Sequence, residues 1–117
     1  MLSSDELLRY SRQTMVKDIG EAGQLKLNNA SILIVGMGGL GNPVSLYLNA
    51  AGVGKLYIAD NDHVDVTNLQ RQVLFAESDI GENKADSAKL HLEHRNTKTD
   101  IEAIDERIDQ ELCDYYF

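Results

Sequence analysis

The chain has 117 residues, of which 43% are hydrophobic and 26% are charged, and its formal net charge at pH 7 is −8. These values are ordinary for one globular domain with its own core. The acidic balance argues against a nucleic-acid-binding protein and against a partner of anionic membranes, because both surfaces attract basic residues. The single cysteine, Cys113, excludes an intrachain disulfide and a thiolate-rich zinc cluster.

The N-terminal residues predict a helical arm. They carry acids where a signal peptide carries bases, and no apolar stretch is long enough to span a bilayer, so we expect a cytoplasmic protein. Ser3 and Ser4 ahead of Asp5 and Glu6 predict a helix start, with Ser11 and Met15 on later turns. A second short helix is predicted over residues 20–27, and we expect residues 1–29 to form an arm or lid.

Residues 30–117 alternate between strand and helix patterns. Continuous apolar runs at residues 32–35 and 56–59 predict buried strands, and a shorter alternation predicts a third strand at 101–104. Helical spacing after residue 40, at 83–95 and after 110 predicts helices, with a helical turn at 69–75. In the first of these helices the apolar stripe is Leu40, Val44, Leu48 and Ala51. The order predicts an α/β fold with a Rossmann-like, partly parallel sheet, and residues 30–117 form its nucleotide-binding half.

The turn after the first strand reads GMGGLG and fits the G-x-G-x-x-G template. Gly36 allows the tight turn, Gly38 allows close approach of backbone to a phosphate, and Gly41 allows close packing of helix on strand. Gly39 removes one more side chain, and free N–H groups at the helix start face the phosphates. A turn that needs glycine only for its backbone angles is the alternative, and nucleotide binding is favoured over it.

Asp60 lies about twenty residues beyond the glycines, where an acid holds ribose hydroxyls. On this feature alone an NAD-binding protein is the leading interpretation. Asp62 and Asp65 crowd the same loop and repel a phosphate unless a metal such as magnesium intervenes. A solvated acidic loop is the other interpretation, and it is preferred for Asp65.

Two cations follow the acidic loop, Arg71 within NLQRQ and Lys84 within IGENKA. A dehydrogenase has little use for them, whereas cleavage of a nucleotide at its α-phosphate builds charge that must be stabilised. Arg71 can bind two phosphate oxygens at once, and Lys84 supplies a mobile point charge. Together with the glycine turn and Asp60, they favour a nucleotide substrate over a redox cofactor.

Four motifs in this order resemble the ThiF/MoeB adenylyltransferases, relatives of the ubiquitin-activating E1 enzymes: RYSRQ, GMGGLG, ADNDHVDVTNLQRQ and IGENKA. The resemblance covers nearly the whole chain. Within the family, DIGEAGQLKL and RQVLFAESDIG look most like ThiF of thiamine biosynthesis.

The resemblance implies adenylylation of the C-terminal glycine carboxylate of a ubiquitin-like sulfur carrier, ThiS, with release of pyrophosphate. The alternative within the family is MoeB-type activation of a molybdopterin synthase carrier subunit. The family resemblance also implies Mg²⁺, and a homodimer in which Arg12 of one copy enters the partner subunit's active site. The implied catalytic residues are Arg12, Arg71 and Lys84. The implied ATP-binding residues are Gly36, Gly38, Gly39, Gly41, Asp60, Asp62, Asn68, Leu69, Gln70, Arg71, Gln72 and Lys84.

The sequence also departs from the family pattern, which continues with a magnesium-binding Asp and two CxxC pairs for zinc. We therefore expect an N-terminal fragment that binds ATP weakly if at all and does not turn over. Its open sheet edge favours strand exchange or dimerisation. His91 and His94 have a spacing that can chelate a metal, but solvated helix residues are the preferred interpretation.

Two interpretations from other classes stay open. An NAD(P)-binding oxidoreductase domain is supported by the glycines and Asp60, but not by NLQRQ or Lys84. A non-catalytic E1-like scaffold would bind a carrier and support a catalytic partner.

Overall fold

Three parallel strands form the centre of the structure, a computed structural model that describes residues 1–117. The strands are β1 (Ser31–Val35), β2 (Lys55–Ala59) and β3 (Asp100–Ile104), and their order in the sheet is β1-β2-β3. Ile32, Leu56 and Ile101 pair across the sheet and lie on one face. The predicted α/β fold with a Rossmann-like parallel sheet is confirmed.

Six α-helices surround the sheet, and two short 3₁₀ turns interrupt the loop after β2. The helices are α1 (Ser4–Arg9), α2 (Ser11–Thr14), α3 (Gly20–Asn28), α4 (Gly41–Ala51), α5 (Lys84–Arg95) and α6 (Gln110–Tyr116). The 3₁₀ turns are Val66–Asn68 and Glu77–Asp79. None of these helices is long and apolar enough to cross a membrane.

The main core lies between the sheet and the pair α4 and α5. On α5 the predicted apolar stripe is confirmed, since Ala85, Ala88 and Leu92 are all fully buried. On the opposite face of the sheet, Tyr57 contacts Tyr116 and Phe117 at the end of α6, with ring centroids 5.4 and 5.1 Å away. The face near β1 is less covered, because Val35 is 64% exposed.

The arm begins as the sequence predicts and then breaks. The Ser3 hydroxyl accepts the amide hydrogen of Glu6, and the Glu6 carboxylate accepts the amide hydrogen of Ser3, which together form a capping box. The helix ends at Arg9, with Tyr10 as its C-cap, and does not continue to the later turns expected at Ser11 and Met15. Tyr10 is 2% exposed and its hydroxyl accepts a hydrogen bond from Asn96, so its burial fixes the break.

The arm is held to the body of the domain by buried amide groups. Gln13 and Gln24 both donate from Nε2 to the carbonyl of Ala51, at 3.1 and 2.9 Å. Asn28 donates to the Glu6 carboxylate at 2.7 Å and so ties α3 to α1. The arm is thus anchored beside the last residue of α4.

The apolar stripe predicted on α4 is only partly buried, since Leu48 packs against the core. The helix ends at Gly52 (φ 92°) as expected, but Leu40 is 84% exposed and Val44 is 46% exposed. The buried face consists of Asn42, Ser45 and Asn49, all with no exposed surface. Each of these side chains donates a hydrogen bond to a backbone carbonyl, so their donor groups are satisfied where the helix packs closely, whereas Oδ1 of Asn49 has no partner.

The helical turn predicted at residues 69–75 is also misplaced. The turn lies earlier, at Val66–Asn68, because the Asp65 carboxylate accepts the backbone amide hydrogen of Thr67 and caps it. Residues 69–75 instead form successive turns that carry Arg71 and Gln72.

A glycine at the entry to β2 gives a direct test of this packing. A Cβ on Gly54 would lie 1.8 Å from the Asn28 carbonyl oxygen, so Gly54→Ala must displace backbone. We expect a loss of at least about 2 kcal/mol in the free energy of unfolding, measured by denaturant titration. The matched control is Gly23→Ala in α3, where the new Cβ meets only the flexible Ile19 side chain. Equal stability of the two variants would contradict the packing described here.

Candidate functional site

The glycine turn presents free backbone N–H groups at the carboxyl end of β1. Gly36 has φ 91° and donates to the Ala59 carbonyl at 2.8 Å, so the turn is tied to the end of β2. The amides of residues 38–41 find no acceptor within the chain. A Cβ on Gly41 would lie 2.0 Å from the Gly36 carbonyl oxygen, so only glycine lets α4 begin this close to the strand. The arrangement is suited to an anion.

The Asp60 carboxylate joins the glycine turn to the acidic loop. One oxygen accepts the amide hydrogen of Met37 at 2.7 Å, and the other accepts that of Asp62 at 2.8 Å. Each oxygen keeps a lone pair for a further donor such as a hydroxyl. Asp60 also lines a cleft of about 320 Å³ at the carboxyl edge of the sheet, together with Gly36, Asn61 and Arg107 among others.

Arg71 lies against the glycine turn. A Cβ placed on Gly39 would be 3.7 Å from both Cδ and Nε of Arg71, an ordinary contact distance, so the arginine side chain packs directly over this residue of the turn. The guanidinium makes only a 3.3 Å bond to the Thr67 carbonyl and forms no ion pair. Its positive charge is therefore free to meet an anion on the turn.

Lys84 is the buried cation of the site. It is 6% exposed, its Nζ lies 3.7 Å from a carboxylate oxygen of Asp62, and its backbone amide donates to the Asp62 carbonyl. Neighbouring Asp65 has a lowered pKa, chiefly because its carboxylate accepts the backbone and hydroxyl hydrogens of Thr67, with a smaller contribution from Lys84. Asp65 is therefore ionised at neutral pH, and Lys84 lies among acids.

The remaining residues of NLQRQ differ in what they contact. The Asn68 side chain accepts from the Asp65 amide, Leu69 packs against the core, and Gln70 is exposed. Gln72 is 2% exposed, yet its Oε1 has no hydrogen-bond partner. Its Nε2 would lie 3.9 Å from a Cβ on Gly38, so an unpaired amide stands beside the glycine turn.

Arg12 is not brought to this site within the chain. It is exposed on α2, in the arm that is anchored to Ala51 at the far end of α4. The glycine turn precedes the first residue of that helix, so the eleven residues of α4, about 16 Å, separate the two.

The acidic loop does not form a metal cage. No group of three or more histidine, cysteine, aspartate or glutamate side chains comes together in residues 1–117. Both oxygens of Asp60 accept backbone amides, and Asp65 caps a turn. The Mg²⁺ that the family resemblance implies is therefore not assigned to residues of this chain. His91 bonds Asp79 at 2.7 Å, and His94 is exposed.

Three residues of the site were missed from the sequence: Asn42, Asn83 and Arg107. The Asn83 amide donates to the carbonyl of Asp60 and to the carboxylate of Asp105, and so ties the ends of β2 and β3 together. Arg107 lines the cleft just after β3. Asn42 lies at a helix start, and Asn83 and Arg107 lie near strand ends. These positions could have identified them from the sequence, since ligands bind at the carboxyl edge of parallel sheets.

A glycine turn with free amides, an acid at the end of β2 and two nearby cations define a nucleotide-binding domain of the α/β class. The chain belongs to the ThiF family, whose model matches residues 10–117.

Its relatives include "Adenylyltransferase and sulfurtransferase MOCS3" of Culex quinquefasciatus, 51% identical over 86% of this chain, and of Mus musculus, 50% identical over 87%. The chain spans only 23% and 22% of these two proteins.

Solved structures also resemble the chain. E. coli MccB with ATP matches 98% of this chain and 35% of its own, with a TM-score of 0.81 and 37% identity. E. coli TcdA in complex with AMP has a TM-score of 0.89 over 99% of this chain and 46% of its own, at 24% identity, which shows a shared fold.

The two hydrogen bonds by which the Asp60 carboxylate joins the glycine turn to the acidic loop can be tested with Asp60→Asn. The amide group would turn a donor toward one of two backbone N–H groups, and we expect a loss of about 1–3 kcal/mol in stability. Faster hydrogen exchange at the Met37 or Asp62 amide should accompany it. Asp18→Asn is the control, since the Asp18 side chain is exposed, makes no ion pair and accepts no hydrogen bond, and its substitution should change stability little. Unchanged exchange in Asp60→Asn would show that the carboxylate does not organise the turn.

Proposed function

We propose that this chain carries the ATP-binding part of an adenylyltransferase that activates the C-terminal glycine carboxylate of a ubiquitin-like sulfur carrier. The observation that carries the proposal is the position of Arg71 across Gly39, beside the free amides of residues 38–41. Membership in the ThiF family supports the same reaction class.

In this proposal a carboxylate oxygen of the carrier attacks the α-phosphorus of ATP. The bond from the α-phosphorus to the bridging oxygen breaks, and pyrophosphate leaves with the electron pair. The free amides bind phosphate oxygens, Asp60 binds the ribose, and Arg71 and Lys84 stabilise the charge that builds in the transition state. Without these cations, two anions would have to approach each other unaided.

We propose a ThiS-type carrier of thiamine biosynthesis as the substrate, on the resemblance of DIGEAGQLKL and RQVLFAESDIG. A MoeB-type carrier of molybdopterin synthase is the second candidate, and relatives such as mouse MOCS3 at 50% identity fit it no worse. A cytoplasmic location is part of the proposal, supported by a composition with one cysteine and no disulfide.

We further propose a homodimer in which Arg12 of one copy reaches the site of the other. The support is its exposure on α2 together with the distance that α4 imposes from its own glycine turn. The open edge of β1 and the exposed Val35 offer further surface for strand exchange or pairing. Because residues 1–117 form no metal cage and Arg12 lies away from the site of its own copy, we expect the chain alone not to complete turnover.

The nucleotide proposal is tested by thermal unfolding with ligands. Since a ligand that binds only the native state raises the melting temperature, millimolar ATP should stabilise the chain and NAD should not. Arg71→Ala should weaken ATP binding by about tenfold or more. Arg95→Ala is the matched control, because Arg95 is exposed at the opposite end of α5 from Lys84. Stabilisation by NAD alone would favour an oxidoreductase domain, and an unchanged response of Arg71→Ala would remove Arg71 from the site.

The dimer is tested by sedimentation with and without ATP. We expect a species of twice the chain mass, and Arg12→Ala should weaken ATP binding without changing that mass. Lys17→Ala is the control, because Lys17 is an exposed cation on the same arm. A monomer at every concentration, with Arg12→Ala binding ATP as the unsubstituted chain does, would contradict the shared site.

A further inference from the structure

We propose that Asn42 is a positioning residue for phosphate binding: its side chain turns two carbonyl groups inward, and so points the amide N–H groups of Gly38 and Gly39 at the ligand. The inference rests on the proposed function, and it assigns a role to a residue that lies outside the expected ATP contacts.

The first observation is the set of hydrogen bonds that Asn42 donates to the glycine turn. Asn42 has no exposed surface, and its Nδ2 donates to the Met37 carbonyl at 2.8 Å and to the Gly38 carbonyl at 3.1 Å. Its own backbone amide also donates to the Gly38 carbonyl, at 3.1 Å. Both carbonyl groups of the turn are therefore directed toward the first turn of α4.

Because the peptide bond is planar, the direction of each carbonyl group also sets the direction of the N–H group of the next residue. In a trans peptide the C=O of one residue and the N–H of the next point in opposite directions, and the chain has no cis peptide bond. With the carbonyls of Met37 and Gly38 held inward, the N–H groups of Gly38 and Gly39 point outward. Neither N–H has an acceptor within the chain.

The other end of the same side chain reaches the arginine segment. Oδ1 of Asn42 accepts the backbone amide hydrogen of Leu74 at 2.8 Å, three residues after Arg71. One buried side chain thus fixes the orientation of the turn and the position of the segment that carries the guanidinium. Removing it disturbs both groups that would contact a phosphate.

A separate observation points to a ligand at this place. The side chain of Gln72 is 2% exposed, and its Nε2, which lies 3.9 Å from the Cβ position of Gly38, donates to no acceptor within the chain. An N–H donor held in this place can bind a phosphate oxygen on the glycine turn.

Asn49 supplies a matched control on the same helix. It is also fully buried, two turns after Asn42, and donates from Nδ2 to the Leu92 carbonyl at 3.0 Å. It contacts neither the glycine turn nor the Arg71 segment. A purely structural role of a buried asparagine would affect both positions alike.

The test compares Asn42→Ala and Asn42→Asp with Asn49→Ala and Asn49→Asp in the full chain. Melting temperature reports stability, and the Gly38 and Gly39 amide resonances of ¹⁵N-labelled protein report titrations with ATP and with inorganic tripolyphosphate. All four variants should melt earlier than the unsubstituted chain. Only the Asn42 variants should bind the anions about tenfold or more weakly, with Asn42→Asp the weaker because its carboxylate faces two carbonyl oxygens.

The alanine pair decides the question if an aspartate variant does not fold. Asn42→Ala binding tripolyphosphate as tightly as the unsubstituted chain overturns the inference, and so does an equal loss in Asn49→Ala. An unsubstituted chain that binds tripolyphosphate but not ATP contradicts the proposed function, and the Asn42 comparison is then decided with tripolyphosphate. Binding of neither anion overturns both.

Discussion

The close contact between Gly41 and the carbonyl of Gly36 is the constraint on which the rest of the site depends. A Cβ at residue 41 would lie 2.0 Å from that oxygen, so any side chain there would push α4 away from the end of β1. With glycine, the helix begins directly beyond the strand, and the unpaired amides of residues 38–41 gather at one point. The positive end of the helix dipole adds to them. The suitability of the turn for an anion thus comes from backbone geometry more than from charged side chains.

Side chains then attach other parts of the chain to this backbone. Asp60 receives the amide hydrogens of Met37 and Asp62, and Asn83 bonds the carbonyl of Asp60 and the carboxylate of Asp105. These bonds connect the ends of all three strands with the loop that carries Arg71 and with the start of α5 at Lys84. Each cation alone would be an ordinary surface or loop residue. Their placement around the turn follows from buried polar bonds whose loss would leave unsatisfied groups.

Much of the fold could be predicted from the sequence, because apolar runs, glycines and caps act locally. Ser3 and Gly52 mark helix ends in the sequence as they do in the structure. The buried face of α4 could not be predicted, because Asn42 and Asn49 are polar and their partners lie far along the chain, at Leu74 and Leu92. The glycine turn, Asp60, Arg71 and Lys84 were visible as motifs. The role of Arg12 stays a prediction, since the arm places it beyond the length of α4 from the turn.

Hydrogen bonds hold α4 at both of its ends, and this affects how the arm and the glycine turn can move. Asn42 holds the first turn of α4 to the glycine turn, and Gln13 and Gln24 hold the last carbonyl of α4, at Ala51, to the arm. An α-helix of eleven residues is stiff, so α4 connects the arm and the glycine turn as one rigid element. Any displacement of the arm must either break buried amide bonds or shift the glycine turn with it. A partner that moved the arm without breaking these bonds would therefore also move the glycine turn.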